Sequence, residues 1–235
     1  ETNLRCQIVI DKSSSMYFPV KNKLDFNNLN KLWFSIYSSA ALIEMMRRQR
    51  DAVGLSIFDK DIALHTPAKL SRVHLNMIYN ELEKLMLPYE KKDMCQTDTV
   101  QCLHKIAEMT HKRSLVIIFS DMFDNLDNSK EMFAALEHLR YNKHEVILFH
   151  VFDSLLEEKL EYENRPHRFV DLETGETLKL NPVEIKEKYE TIMLAKKEEL
   201  LRHCYQYQID YVEADINKSY NQILTSYLIK RSKIS

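Results

Sequence analysis

Ser114-Leu115-Val116-Ile117-Ile118-Phe119-Ser120-Asp121 is the most strongly patterned stretch in the chain. Its apolar run is long enough for a strand and short for a helix, it is rich in β-branched residues, and every position is apolar. A strand reads this way when both of its faces are buried, as at the centre of a parallel sheet covered by helices on each side. The run closes on an aspartate. Cys6-Gln7-Ile8-Val9-Ile10-Asp11 repeats the pattern near the start of the chain: a short buried strand that ends in a carboxylate.

Outward from these two strands the chain alternates. Leu32, Ile36, Ala40 and Ile43 recur at helical spacing with Trp33 and Tyr37 beside them, and the run closes on Arg47-Arg48-Gln49-Arg50. Residues 52–58 read as a buried strand and residues 61–66 as a short edge strand stopped by Pro67. Leu75, Ile78, Leu82 and Leu85 mark a helix that ends before Pro88. Asp98 with Gln101 has the form of a capping box for a helix carrying Val100, Leu103 and Ala107. A helix around Met132, Phe133, Leu136 and Leu139 then leads to a strand over residues 146–152. Strand-helix alternation of this kind predicts an α/β fold with a doubly wound, mainly parallel sheet.

Past residue 152 the rhythm changes. Residues 166–181 read as a β-hairpin insertion with Gly175 at a left-handed position. Asn181-Pro182-Val183-Glu184 then opens a long C-terminal helix running to about Tyr207 on the spacing of Ile185, Tyr189, Ile192 and Leu200, its mixed charges from Lys186 to Arg202 forming a solvated face. A strand at residues 209–213 and a helix capped by Ser219 and Gln222 finish the chain. No repeat or linker divides residues 1–235, so a single domain is expected. The start almost directly on a core strand, with no initiator methionine, predicts that an N-terminal region of the full-length protein is absent.

Composition narrows the function. A net charge of -2, from 33 basic and 35 acidic residues, makes no electrostatic case for nucleic acid, and no apolar run is long enough to span a bilayer. Cys6, Cys95, Cys102 and Cys204 show no CxxC spacing, so buried free thiols in a reducing compartment, and hence a cytoplasmic location, are expected. Cys95, Cys102 and His104 do not match a zinc spacing. Gly54 and Gly175 are the only glycines. A dinucleotide fingerprint, a Walker A loop and a nucleophile elbow each need two close together, so all three are excluded.

Asp11-x-Ser13-x-Ser15 follows the first strand. In an extended turn alternate residues face one way, so the carboxylate and two hydroxyls converge, an oxygen-only set suited to Mg²⁺ or Mn²⁺. Serines after a strand are also ordinary turn chemistry. The fold decides what can join them. In a sheet of order 3-2-1-4-5-6 the first and fourth strands are neighbours and ligands bind beyond their carboxyl ends, which brings Asp121 beside Asp11. The loop feeding the fourth strand contributes Thr97, making five candidate metal ligands.

Asp11-x-Ser13-x-Ser15, Thr97 and Asp121 resemble the metal-ion-dependent adhesion site of von Willebrand factor A-like domains. Asp51-Ala52-Val53-Gly54-Leu55-Ser56-Ile57-Phe58, Phe119-Ser120-Asp121 and Phe169-Val170-Asp171-Leu172-Glu173-Thr174-Gly175-Glu176 resemble the bacterial family called domain of unknown function 58, over nearly the whole chain. The resemblance implies that Ser13, Ser15 and Thr97 hold the ion directly and that Asp11 and Asp121 act directly or through water. It further implies that an Asp or Glu of a protein partner completes the coordination, and that a MoxR-type AAA+ ATPase or its client is the partner. No catalysis is expected, because no nucleophile has an adjacent base. The alternatives are a Mg²⁺-dependent phosphoryl-transfer enzyme with an aspartate nucleophile, and a metal-free interaction domain built on a degenerate site.

Overall fold

Strand β1 (Arg5–Asp11) is buried from Cys6 onward, and the sheet is assembled around it. In this computed structural model residues 4–21, 23–26, 28–87, 98–122, 129–172, 175–219 and 221–234 are described. The chain continues through α1 (Lys31–Arg48), β2 (Ala52–Phe58), β3 (Ile62–His65), α2 (Arg72–Lys84), α3 (Thr99–Met109), β4 (Leu115–Ser120), α4 (Ser129–Tyr141) and β5 (Glu145–Phe152). A hairpin of β6 (His167–Val170) and β7 (Thr177–Leu180), the long α5 (Pro182–Gln206), β8 (Asp210–Asp215) and α6 (Asn221–Ile234) complete it.

The main sheet has six strands in the order β3-β2-β1-β4-β5-β8. β1 runs parallel to β2 and β4, and β5 parallel to β4 and β8, while the short edge strand β3 is antiparallel to β2. This is the expected doubly wound, mainly parallel α/β architecture, with the last strand of the chain at the outer position. β6 and β7 pair only with each other, and Gly175 has a φ of 74° between them. Glu173 and Thr174 of the expected turn lie outside the described residues.

Alternation along the central strands explains the two cores. Ile8 and Ile10 of β1, Ile117 and Phe119 of β4 and Ile147 and Phe149 of β5 face α1, α2 and α6. Val9, Val116, Ile118, Val146 and Leu148 face the opposite layer of α3, α4 and α5. Successive strand residues point to opposite faces, so a continuous apolar run fills both layers at once.

The expected helix starts at Asp98 and Asn181 hold, each side chain accepting a hydrogen bond from a backbone N–H of the first turn, and Asn30 and Ser71 cap α1 and α2 in the same way. Two readings are corrected. α1 buries Phe34, Ser35, Ser38, Ser39 and Leu42 as well as Leu32, Ile36 and Ile43, while Trp33 and Tyr37 are only partly covered. A helix pressed on a sheet and flanked by two others is covered around most of its circumference, so small serines fit where a stripe pattern predicts solvent. Ile192 of α5 is 46% exposed, because that helix buries only Pro182, Leu200 and Cys204.

With glycine so scarce, other residues take the left-handed positions that end helices. Arg50, Lys143 and Gln208 follow α1, α4 and α5 with φ of 60°, 62° and 56°. Cys6, Cys102 and Cys204 are buried and free, and burial pushes the thiols of Cys102 and Cys204 up to about 12, which makes them inert. Cys95 lies outside the described residues.

Candidate metal centre

β1 delivers Asp11 to the carboxyl end of the sheet with its side chain almost fully buried. Its Oδ1 accepts the Ser13 backbone N–H at 2.8 Å and its Oδ2 accepts the Ser120 hydroxyl at 2.6 Å. The first bond closes an Asx turn, and the chain then tightens: Met16 N–H donates to Ser13 O and Phe18 N–H to Ser15 O in a 3₁₀ turn over Ser14–Tyr17. The expectation of an extended turn is therefore corrected. Ser13 and Ser15 do meet, with their Oγ atoms 3.0 Å apart, but helical winding brings them together rather than strand alternation.

β4 places Asp121 beside them, 1% exposed. Its Oδ2 accepts from Lys31 Nζ at 2.7 Å. Its Oδ1 is buried without a hydrogen-bond partner among the described residues. An unsatisfied buried carboxylate oxygen is costly and marks a position where a donor or a cation is missing.

Lys31, the first residue of α1, is itself 1% exposed and also donates to Glu157 Oε1 at 2.5 Å. Glu157 belongs to a single π turn after β5, and its Oε2 accepts from Asp153 N at 2.8 Å. One ammonium thus ties the start of α1 to the ends of β4 and β5. Burial alone would lower the Lys31 pKa, but the charges of Asp121 and Glu157 raise it and keep the ammonium charged.

The two aspartates are driven apart in acidity. Burial, then the negative charge of Asp121, raises the Asp11 carboxyl to about 7 against the opposing bonds from Ser120 and Ser13. Burial also works against ionising Asp121, but Lys31 and the Ser15 hydroxyl hold that carboxyl below its ordinary value. His150 on β5 is kept neutral: burial pushes its imidazole down to about 4, and Nδ1 lies 2.7 Å from the Tyr211 hydroxyl.

The donor set fits a hard divalent cation in part. Neighbouring oxygens around a six-coordinate Mg²⁺ with bonds of about 2.1 Å lie roughly 3.0 Å apart, the separation of the Ser13 and Ser15 hydroxyls. The free Oδ1 of Asp121 adds a third oxygen. Among the described residues no three His, Cys, Asp or Glu side chains converge as metal ligands, so an ion here depends on hydroxyls. Of the five expected residues, Asp11, Ser13, Ser15 and Asp121 are brought together, and Thr97 lies outside the described residues. Ser120, Lys31, Glu157 and His150 were not anticipated. Only Ser120 carried a local signal, as the polar end of the strongest strand.

Similarity to known proteins supports the fold. The chain is similar to the conserved hypothetical protein BatB from Bacteroides thetaiotaomicron, at 14% identity and a TM-score of 0.54, over 99% of this chain and 100% of that one. An aerotolerance-related membrane protein from Bacteroides fragilis aligns at 12% identity and 0.55, over 97% and 98%. The pilus adhesin SpaC from Lactobacillus rhamnosus GG aligns at 10% and 0.56, over 99% of this chain and 30% of its own. At such identities the likeness is one of fold. No curated protein matches the sequence. Residues 1–199 match the family described as "Protein of unknown function DUF58", and the chain belongs to that family.

Proposed function

We propose that this protein is a non-catalytic interaction module whose docking site is the carboxyl edge of the sheet, with a Mg²⁺ or Mn²⁺ ion held by Ser13, Ser15, Asp121 and, from outside the described residues, Thr97. The observation that carries the reading is the 3.0 Å pair of serine hydroxyls beside the buried Asp121 carboxyl, whose Oδ1 has no hydrogen-bond partner among the described residues. Asp11 has both oxygens engaged by Ser13 and Ser120, so its part is to hold the loop and accept from bound water. A bound ion supplies positive charge and exchangeable positions that an Asp or Glu of a partner protein can fill. A MoxR-type AAA+ ATPase in the cytoplasm is the partner proposed.

Lys31 favours a second reading. Its ammonium already provides one positive charge beside Asp121, as a degenerate, metal-free interaction domain would require. Phosphoryl transfer is supported less well, because the two short contacts of Lys31 are with protein carboxylates and the side chain does not reach solvent. The discriminating experiment is association with a co-expressed MoxR-type ATPase in Mg²⁺ and in EDTA, for wild type and Ser13→Ala/Ser15→Ala. Association lost in EDTA and in the double variant supports the cation-dependent reading. Association that survives both assigns the metal-free one, and phosphatase activity abolished by Asp11→Asn would revive catalysis.

A further inference from the structure

The amino end of the sheet, opposite the candidate metal centre, carries a different charge. Lys112 and Arg113 lead into β4, and Tyr141, Asn142 and Lys143 lead into β5. Together they line an open concavity of about 380 Å³. None of the three cations has a carboxylate partner among the described residues. The carboxylates of the neighbouring strand starts are engaged elsewhere: Glu145 with Arg140 and Lys230, and buried Asp51 with the Leu4 backbone N–H. Arg5 extends the basic row by meeting His111 at 3.0 Å.

Backbone conformation adds a second, independent observation. Arg113 and Lys143 have φ of 59° and 62°, a region that favours Gly and Asn and disfavours long side chains. Lys143 closes α4 with the paired bonds Lys143 N–H to Arg140 O and His144 N–H to Leu139 O, a cap at which glycine is the usual occupant. Gln208 holds the same left-handed position after α5, so the conformation does not itself demand a cation. Two residues in the left-handed region, neither with a carboxylate partner among the described residues, therefore line one concavity.

We infer that this concavity binds a phosphate-class anion through Arg113, Lys143 and Lys112, with Asn142 and Tyr141 at its wall. Guanidinium and ammonium donors lining one concavity suit phosphoryl oxygens, which accept several charge-assisted hydrogen bonds at once. A free oligophosphate and an anionic lipid headgroup share this chemistry.

The test uses the full chain and two probes, inorganic pyrophosphate in solution and vesicles of phosphatidylglycerol set against phosphatidylcholine. Arg113→Asn/Lys143→Asn removes both charges while suiting the left-handed backbone, so the unliganded melting temperature is expected to hold or rise. Pyrophosphate affinity, or phosphatidylglycerol binding, is expected to fall by at least about tenfold, the scale of losing charge-assisted hydrogen bonds. Arg48→Gln, which removes an exposed cation already paired with Glu44, should bind like wild type. Saturable pyrophosphate binding assigns a free oligophosphate, and vesicle binding without it assigns a headgroup. Unchanged affinity in the double variant, an equal effect of chloride at matched ionic strength, or no binding of either probe overturns the inference. A double variant that melts lower without ligand would instead make these cations helix-end stabilisers.

Discussion

Lys31 Nζ lies 2.7 Å from Asp121 Oδ2, and both side chains are 1% exposed. A protein cation is thus built into the edge of the sheet where a metal is also proposed, and the same ammonium holds Glu157. Removing it leaves the buried Asp121 carboxyl and the partly buried Glu157 carboxyl without their shared cation. Lys31→Met is expected to lose about 3–5 kcal/mol, the usual cost of stripping one partner from a buried pair. Denaturant melts at pH 7 measure this, and a loss below about 1 kcal/mol would mean that the pair is not formed in solution.

Divalent cation should raise the stability of the wild-type protein by mass action, by about 2.7 kcal/mol at a hundredfold excess over Kd. Asp11→Ala should abolish the shift by freeing the turn that carries Ser13, and Asp121→Asn should reduce it by a smaller margin. Thermal melts with Mg²⁺, Mn²⁺ and EDTA provide the comparison. Equal shifts in wild type and Asp11→Ala would refute the assignment.

The pH response contains two opposed contributions. The ordinary His150 value of 6.5 falls to about 4 on folding, so between those limits the unfolded chain binds more protons. That contribution is complete above pH 6.5 and is lost as pH falls toward 4, on the order of 3 kcal/mol. Asp11 acts with the opposite sign: its carboxyl is raised from 3.8 to about 7, so its contribution is present at low pH and lost as pH rises through 7. In melts from pH 4 to 7.5, Asp11→Asn should therefore show a steeper rise of stability with pH than wild type. His150→Gln should show a flatter or reversed one, and identical slopes in all three would remove both groups from the account.

Gly54 sits on β2 opposite Gln7, under the segment that follows β3. A Cβ there would lie 2.3 Å from Gln7 Oε1, 2.5 Å from the Thr66 carbonyl oxygen and 2.9 Å from Ala68 N. The Gln7 side chain could shift, but Thr66 and Ala68 present backbone, and Thr66 N–H is bonded to Leu55 O. Gly54→Ala should cost at least about 2 kcal/mol through overpacking. Equilibrium unfolding within about 0.5 kcal/mol of wild type would show that the edge segment moves aside freely.

Apolar runs at residues 8–10 and 115–119, separated by amphipathic helices, determined the parallel doubly wound sheet, because burial on both faces leaves a mark on successive positions of a strand. The pairing of Asp11 with Asp121 followed from strand order alone. Local pattern could not show that the loop after Asp11 winds into a 3₁₀ turn, since short polar runs are compatible with several turn geometries. Nor could it show Lys31, which is separated by 90 positions from Asp121 and by 126 from Glu157 and looks like any charged residue at a helix start. Which of many charged side chains is enclosed, and against what, depends on how three elements pack. The row of cations at the amino edge arises in the same way: Arg5, Arg113 and Lys143 are far apart in the chain, and only the order of β1, β4 and β5 sets their strand starts side by side.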